Sequence, residues 1–193
     1  PLTRYRIITA WSRLVVLLAQ AICGVRYRVI GREHLPAEPS IVLSKHQSAW
    51  ETIVLQMIFP WTLFVWKKEL KMLPFFGWAL AATPMISVDR GAGKEALRQL
   101  VEQGRLRLGQ GYWVIMFPEG TRTPRGSQGP YKSGATRLAL ATGAPVVPIA
   151  VSSAKCWPRR SFALRPGMID VSIGPVMPST GRDADELMAE VER

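Results

Sequence analysis

The sequence predicts an α/β fold, with a largely parallel or mixed sheet flanked by helices and an amphipathic helix at the N-terminal end. Three observations carry this reading. Seven short runs of β-branched, aromatic and other apolar residues recur along the chain, at 27–30, 40–43, 62–65, 85–88, 113–117, 146–151 and 168–173. Helical patterns separate several of them, at 49–57, 75–82, 94–108 and 133–142. Strands alternating with helices imply crossover connections and hence parallel pairing. Finally, the two segments richest in reactive side chains each follow an apolar strand directly, which is where open α/β sheets place their ligands. With 193 residues the chain has room for one domain with a full core, and two would be cramped. No repeat, low-complexity tract or long linker interrupts it.

The elements are justified in order. Residues 7–23 form the most apolar stretch, a seventeen-residue run holding Arg13. That is short and charged for a membrane span, which needs about twenty apolar residues. On a helix, Thr9, Arg13 and Gln20 share a narrow stripe beside Ser12, while Trp11, Leu14, Val15, Leu17, Leu18 and Ile22 fill a broad apolar arc. Two readings fit: a helix lying in a bilayer interface, or a core helix of a soluble domain. No small-residue cleavage site follows, so the run is not expected to be a signal peptide. The chain opens on Pro1 and closes inside a charged, helix-like run, so truncation at either end is an expectation. The expected division is therefore a membrane-associating helical segment, 1–24, and a main domain, 25–193.

After the run at 40–43 comes Ser44-Lys45-His46-Gln47-Ser48-Ala49-Trp50-Glu51. His46 falls in a strand-to-helix turn, and Glu51 in the first turn of the helix, three residues after Ser48. A carboxylate there can fold back on the imidazole, hold one ring nitrogen and leave the other free to accept a proton. The same spacing also describes a plain capping box beside a surface histidine.

After the run at 113–117 comes Pro118-Glu119-Gly120-Thr121-Arg122, with Arg125 and Lys132 close behind. Gly120 permits close backbone approach to a ligand, Thr121 donates a hydroxyl and Arg122 offers a planar fork for phosphate. Glu119 can fix the arginine or meet a substrate hydroxyl. A basic surface turn is the alternative.

Charge and cysteine content narrow the classes. Against 14 acids stand 25 Lys and Arg, a net charge of +11, so anionic partners are expected. Arg4, Arg6, Arg13, Arg26, Arg28 and Arg32 lie within the first 32 residues, which hold no acid. Cys23 and Cys156 form no C-x-x-C pair, and with two histidines in the chain neither a Cys/His zinc site nor a disulfide framework is expected. A reducing compartment is the corresponding default. Nucleic-acid binding is the rival suggested by the charge and the seven tryptophans. It lacks a recognisable signature, and Trp61, Trp66, Trp78 and Trp113 sit in apolar contexts.

His46-Gln47-Ser48-x-x-Glu51 followed by Phe117-Pro118-Glu119-Gly120-Thr121-Arg122 resembles the glycerolipid acyltransferase family, in particular its 1-acylglycerol-3-phosphate branch. Further segments agree in order: Lys67-Lys68-Glu69-Leu70 with Pro74-Phe75-Phe76-Gly77-Trp78, Ile86-Ser87-Val88-Asp89-Arg90, Tyr131-Lys132-Ser133-Gly134, and Val146-Val147-Pro148-Ile149-Ala150. The similarity runs from about Val25 to Val176. One departure stands out. The family's first motif usually reads His-x4-Asp, and Glu51 is one methylene longer.

The resemblance implies transfer of a fatty acyl group from acyl-CoA or acyl-carrier protein, as co-substrate, to the sn-2 hydroxyl of lysophosphatidate. It makes His46 the general base and Glu51 its orienting acid. It places Arg90 and Arg122, with Lys68 and Lys132, at the acceptor phosphate beside Glu119, Gly120 and Thr121. Val147, Pro148 and Ile149 become candidates for the acyl path. No metal and no bound organic cofactor is called for, and the partners are a lysolipid, the acyl donor and an anionic membrane surface rather than nucleic acid. The expected location is the cytoplasmic face of a membrane, the inner membrane in a bacterium. A different lysolipid acceptor, such as a lyso-ornithine lipid, stays open, as does a non-catalytic relative with a decayed site. Trp61, Phe64, Trp66, Phe75, Phe76 and Trp78 are either membrane contacts or ordinary core.

Overall fold

A computed structural model describes residues 2–74, 76–161 and 163–193, without the side chains of residues 2–4, 76 and 79. Its centre is a seven-stranded sheet in the order β1-β7-β6-β2-β5-β3-β4. The strands are β1 (Val25–Ile30), β2 (Ile41–Ser44), β3 (Thr62–Lys67), β4 (Ile86–Val88), β5 (Trp113–Met116), β6 (Val146–Val151) and β7 (Gly167–Ile173). Each coincides with an expected run to within one or two residues at most ends. From β6 across to β4 all neighbours are parallel. β7 runs antiparallel to β6, and β1 is parallel to β7, so the sheet is mixed.

Helices cover both faces of the sheet, and the period-two alternation of the strands separates two core layers. Ile41 lies opposite Val114 and Val146, and all three pack with Leu100, Leu138 and Leu187. These come from α4 (Lys94–Gly109), α5 (Gly134–Thr142) and α6 (Ala184–Glu192). One residue along, Val42 lies opposite Ile115 and Val147 and packs on the other side with Val54 and Leu55 of α2 (Trp50–Ile58). Such a strand must be apolar at every position, and β2, β5 and β6 nearly are.

The expected helix at 75–82 is found as α3 (Phe76–Ala81). Phe75 and the side chain of Phe76, expected as membrane or core contacts, lie outside the described residues, as does the side chain of Arg4. Phe64 and Trp66 are buried, whereas Trp78 is exposed and Trp61 borders on it.

Helix α1 (Leu2–Cys23) rests on α2 by a narrow face of small residues. Ser12, Val16 and Ala19 are buried there, and Ser12 Oγ accepts a hydrogen bond from Gln56 Nε2 at 2.6 Å. Tyr5 donates its hydroxyl to the carbonyls of Gln56 and Phe59 and stacks on Trp61. Small side chains let the helices approach closely, and they turn the broad apolar arc away from the protein. Ile7, Trp11, Leu14, Leu17, Leu18 and Ile22 are all exposed, Ile22 by 76%. A core helix buries its arc; α1 does the opposite. The stretch Tyr5–Cys23 is long and apolar enough to cross a membrane by length and composition. Val16 and Ala19 nonetheless belong to the same core cluster as α2 and the sheet.

Candidate active site

Because β2, β3, β4, β5 and β6 run parallel, the loops leaving their C-terminal ends gather on one edge of the sheet. His46 follows β2, Lys67 ends β3, Arg90 follows β4, Phe117–Arg122 follows β5 and Ser153 follows β6. Segments more than a hundred residues apart in sequence thus share one site.

The β2 and β5 loops are joined by Glu119. Its carboxylate accepts the main-chain N–H of His46 at 2.8 Å, the Lys45 ammonium at 3.2 Å and the Thr123 hydroxyl at 3.0 Å. The His46 carbonyl in turn accepts the Thr123 N–H at 2.8 Å. Glu119 is buried, and its side chain points inward to the histidine loop rather than toward Arg90 or Arg122. Its described partners are Lys45, His46 and Thr123, with no arginine among them.

His46 lies flat on Phe117, ring centroids 3.9 Å apart. Its Nδ1 is buried and faces Glu51 Oε2 at 3.5 Å, longer than a formed hydrogen bond. The ring lines the cavity. Glu51 is fully buried. It receives the N–H groups of Gln47 and Ser48 at 3.2 and 3.0 Å and the hydroxyl of Ser48 at 3.3 Å. The Ser153 hydroxyl donates to its other oxygen. Ser48 Oγ also accepts the Trp50 N–H at 3.0 Å. The Glu51 contact to the Ser48 N–H that a capping box makes is present, although α2 starts from Ala49, and it holds the carboxylate under a histidine that is mostly buried rather than on the surface. Ser153 was missed by the sequence reading. The signal available was a serine just past the end of a parallel strand, which is weak alone.

The cavity beside His46 holds about 890 Å³. One wall is apolar, with Ile53, Phe64, Trp66, Leu80, Met85 and Phe117, and α1 adds Ile8 and Trp11. The rim is cationic. Arg90, Gly120, Thr121 and Arg122 line it as expected by position, together with Lys67, Arg159 and Arg160. Arg90 donates from Nη1 to the Gly120 carbonyl at 2.7 Å. Gly120 has φ +68°, and a Cβ there would sit 3.4 Å from both Arg90 Nη1 and Lys132 Nζ. Those distances are ordinary contact, so it is the left-handed backbone rather than the space that calls for glycine at this position.

Other expectations are relocated. Lys68 is exposed in a short 3-10 turn and does not line the cavity; Lys67, whose side chain falls on the strand face one step earlier, does. Lys132 stands behind Gly120 rather than in the cavity wall. Val147 and Ile149 are buried in the sheet, and neither they nor Pro148 line the cavity. Strand β6 is flanked by β2 and β7, so its side chains fill the core layers, and α2, α3, β3 and α1 supply apolar side chains that line the cavity. Arg159 and Arg160 were not anticipated. Among the described residues no group of three or more His, Cys, Asp or Glu is arranged to hold a metal ion.

A sequence model described as Acyltransferase matches residues 26–152. The chain is 46% identical over 179 residues to the 1-acyl-sn-glycerol-3-phosphate acyltransferase of Pseudomonas aeruginosa, covering 92% of this chain and 70% of that protein. It is 32% identical over 186 residues to 1-acyl-sn-glycerol-3-phosphate acyltransferase alpha of Homo sapiens, covering 94% of this chain and 65% of that one. The crystal structure of the 1-acyl-sn-glycerophosphate acyltransferase of Thermotoga maritima matches with a TM-score of 0.77 at 25% identity, over 97% of this chain and 75% of that chain. The chain thus spans about two thirds of the length of these curated relatives.

Proposed function

The chain belongs to the Acyltransferase family, and from that premise we propose that it moves a fatty acyl group from a thioester to the sn-2 hydroxyl of 1-acylglycerol-3-phosphate, forming phosphatidate. The donor is acyl-CoA or acyl-carrier protein. The observation that carries the proposal is the position of His46, at the junction of an apolar wall and a cationic rim in one cavity. A lysolipid with a phosphate head needs both surfaces, and its free hydroxyl lies between its chain and its head.

A thioester is already a good electrophile, and an alcohol is a poor nucleophile near neutral pH. The protein has to add a base and a geometry. His46 Nε2 takes the hydroxyl proton as the oxygen attacks the thioester carbon; Glu51, 3.5 Å from Nδ1, orients the ring when that gap closes to a hydrogen bond. The tetrahedral adduct then expels the sulfur, which recovers the proton from the imidazolium. No acyl-enzyme is required, and buried Cys156, whose thiol pKa is raised by burial, is no part of this route. Arg90 and Arg122 hold the acceptor phosphate at the rim. Helix α1 lies at a membrane surface on its exposed apolar arc, flanked by Arg6 and Arg13, on the cytoplasmic side.

The test is acyl transfer to lysophosphatidate by wild type and a folded His46→Ala variant, each with acyl-CoA and acyl-carrier protein. A loss of about 10²–10⁴ in kcat is expected, the usual contribution of a positioned base. Near-normal turnover by the variant overturns the assignment. A panel of other lysolipids with the same donor tests the head-group preference.

A further inference from the structure

His46 is held by an aromatic ring as well as by its acid. Phe117 follows β5 directly, and its carbonyl accepts the Gly120 N–H at 3.0 Å in the tight turn that comes next. That turn carries Glu119, whose carboxylate accepts the His46 main-chain N–H at 2.8 Å. One loop therefore meets the histidine twice, at its backbone through Glu119 and at its ring through Phe117. The two rings lie within 18° of parallel, with centroids 3.9 Å apart. Phe117 is also nearly parallel to buried Phe64, at 14° and 6.1 Å between centroids.

The two stacks differ in kind. Neutral aromatic pairs prefer offset or edge-on arrangements with centroids about 4.5–7 Å apart, because the negative faces of their π systems repel. Phe64 and Phe117 fall in that range, and His46 and Phe117 do not. Carbon atoms make their best contact at about 3.5–4.0 Å. A centroid distance of 3.9 Å therefore leaves little room for offset and sets one ring over the face of the other. That is the less favoured arrangement for two neutral rings and a favoured one when one ring is a cation. The charged groups around the ring pull both ways. Glu51 of α2 favours the imidazolium, but it stands 3.5 Å from Nδ1 with no hydrogen bond formed. Glu119 is engaged with the His46 backbone, Thr123 and the Lys45 ammonium, and Lys67 is paired with Glu69 at 3.6 Å. Arg90, Arg122, Arg159 and Arg160 line the same cavity and oppose a further positive charge.

We infer that Phe117 is a positioning residue for the base: its ring face holds the plane of the imidazole and stabilises the imidazolium formed when His46 takes the acceptor's proton. The inference rests on the acyl-transfer reading above. In that reaction the acceptor O–H bond breaks as its oxygen bonds to the thioester carbon, and the proton moves to His46. The imidazolium lasts until the same proton passes to the departing sulfur. Stabilising the cation lowers the barrier to forming it. The His46 side chain is only 13% exposed, so the contact acts with little competition from water.

The experiment replaces Phe117 with pentafluorophenylalanine, which keeps the ring's shape and reverses the charge distribution on its face. Phe117→Leu and Phe117→Tyr complete the series. The chain has two histidines, so NMR titration of the imidazoles reads His46 directly. His34, whose Nδ1 lies 2.8 Å from the Ile173 carbonyl, is the internal reference. With the fluorinated ring the His46 titration is expected to move to lower pH by about 0.4–1.5, while that of His34 stays. The sign follows from the charge, since a destabilised imidazolium gives up its proton at lower pH. The acid limb of the pH–rate profile moves the same way, and kcat falls about twofold to thirtyfold. KM for both substrates stays within about twofold, because the shape of the wall is kept. Phe117→Leu shifts the titration in the same direction, and Phe117→Tyr, which retains the π face, leaves it near that of wild type. An unchanged His46 titration with the fluorinated ring, an equal movement of His34, or a full shift in Phe117→Tyr overturns the inference. Wild type that transfers no acyl group to any lysolipid overturns the acyl-transfer reading instead. The imidazole titration needs no turnover and still decides the stack in that case.

Discussion

Glu119 Oε2 accepts the main-chain N–H of His46 at 2.8 Å, so the acid of the β5 loop sets the backbone of the base in the β2 loop. Two motifs whose bonded residues lie 73 positions apart in sequence are therefore one mechanical unit. The unit gives Glu119 a way to act on the base without meeting substrate.

Glu119→Gln puts an amide where three donors converge, and its NH₂ group must face one of them. Loss of a buried partner of this kind costs about 1–3 kcal/mol. The expected outcome is a lower Tm together with a kcat reduced at least tenfold, while KM for both substrates changes little. Steady-state kinetics and thermal unfolding on the same preparation check it. A large rise in KM for lysophosphatidate alone would instead mean that Glu119 meets the acceptor.

Ser153→Ala removes one donor from buried Glu51 but leaves Gln47 and Ser48 in place. A destabilisation of about 1 kcal/mol is expected, with a several-fold loss of kcat as the carboxylate gains freedom. Glu51→Asp draws the carboxylate back by one methylene and cannot serve both His46 and Ser153. Its kcat is expected to fall several-fold, and the Ser153→Ala change should then add little further loss. Additive losses in the double variant would show that the two residues act independently.

The two faces of α1 predict opposite consequences for one kind of substitution. Leu18→Glu with Ile22→Glu alters exposed positions, where effects on stability are usually within about 0.5 kcal/mol. Liposome flotation is expected to drop sharply with Tm nearly unchanged. Val16→Glu places a charge in the buried seam with α2, and the protein is expected to lose several kcal/mol or fail to fold. Retained flotation in the first variant would remove α1 from the membrane contact.

At the far end, Asp183 caps α6, accepting the N–H groups of Asp185 and Glu186 at 2.8 and 3.1 Å. Those bonds lower its pKa below the ordinary 3.8. A carboxyl group with a lowered pKa contributes its full stability above the unfolded value and loses it as pH falls through the folded one. The Tm gap between wild type and Asp183→Ala is therefore expected to be widest near neutrality and to narrow below about pH 4. A gap independent of pH would argue against the charged cap.

Much of this architecture is legible in the sequence because it is local. Ile41–Leu43 and Trp113–Met116 announce buried strands by unbroken apolar runs, and the reactive residues follow them directly. What is not local was harder to see. The insertion of β7 between β1 and β6 depends on pairing across more than a hundred residues, which no period encodes. The inward turn of Glu119 depends on donors from the other loop, and Lys67 ends a strand where Lys68 begins a 3-10 turn. Arg159 and Arg160 carry no periodic signal at all, since they lie in an irregular connection.

Ile8 and Trp11 belong at once to the cavity wall and to α1, whose outer face is apolar, and Trp11 is itself 56% exposed. The outward face of α1 and the cavity therefore share side chains. An acceptor dissolved in lipid would then be sampled in two dimensions, and its abundance per unit of surface, not per litre, would set the velocity. Diluting lysophosphatidate with an inert detergent or lipid at fixed bulk concentration should slow the enzyme in proportion.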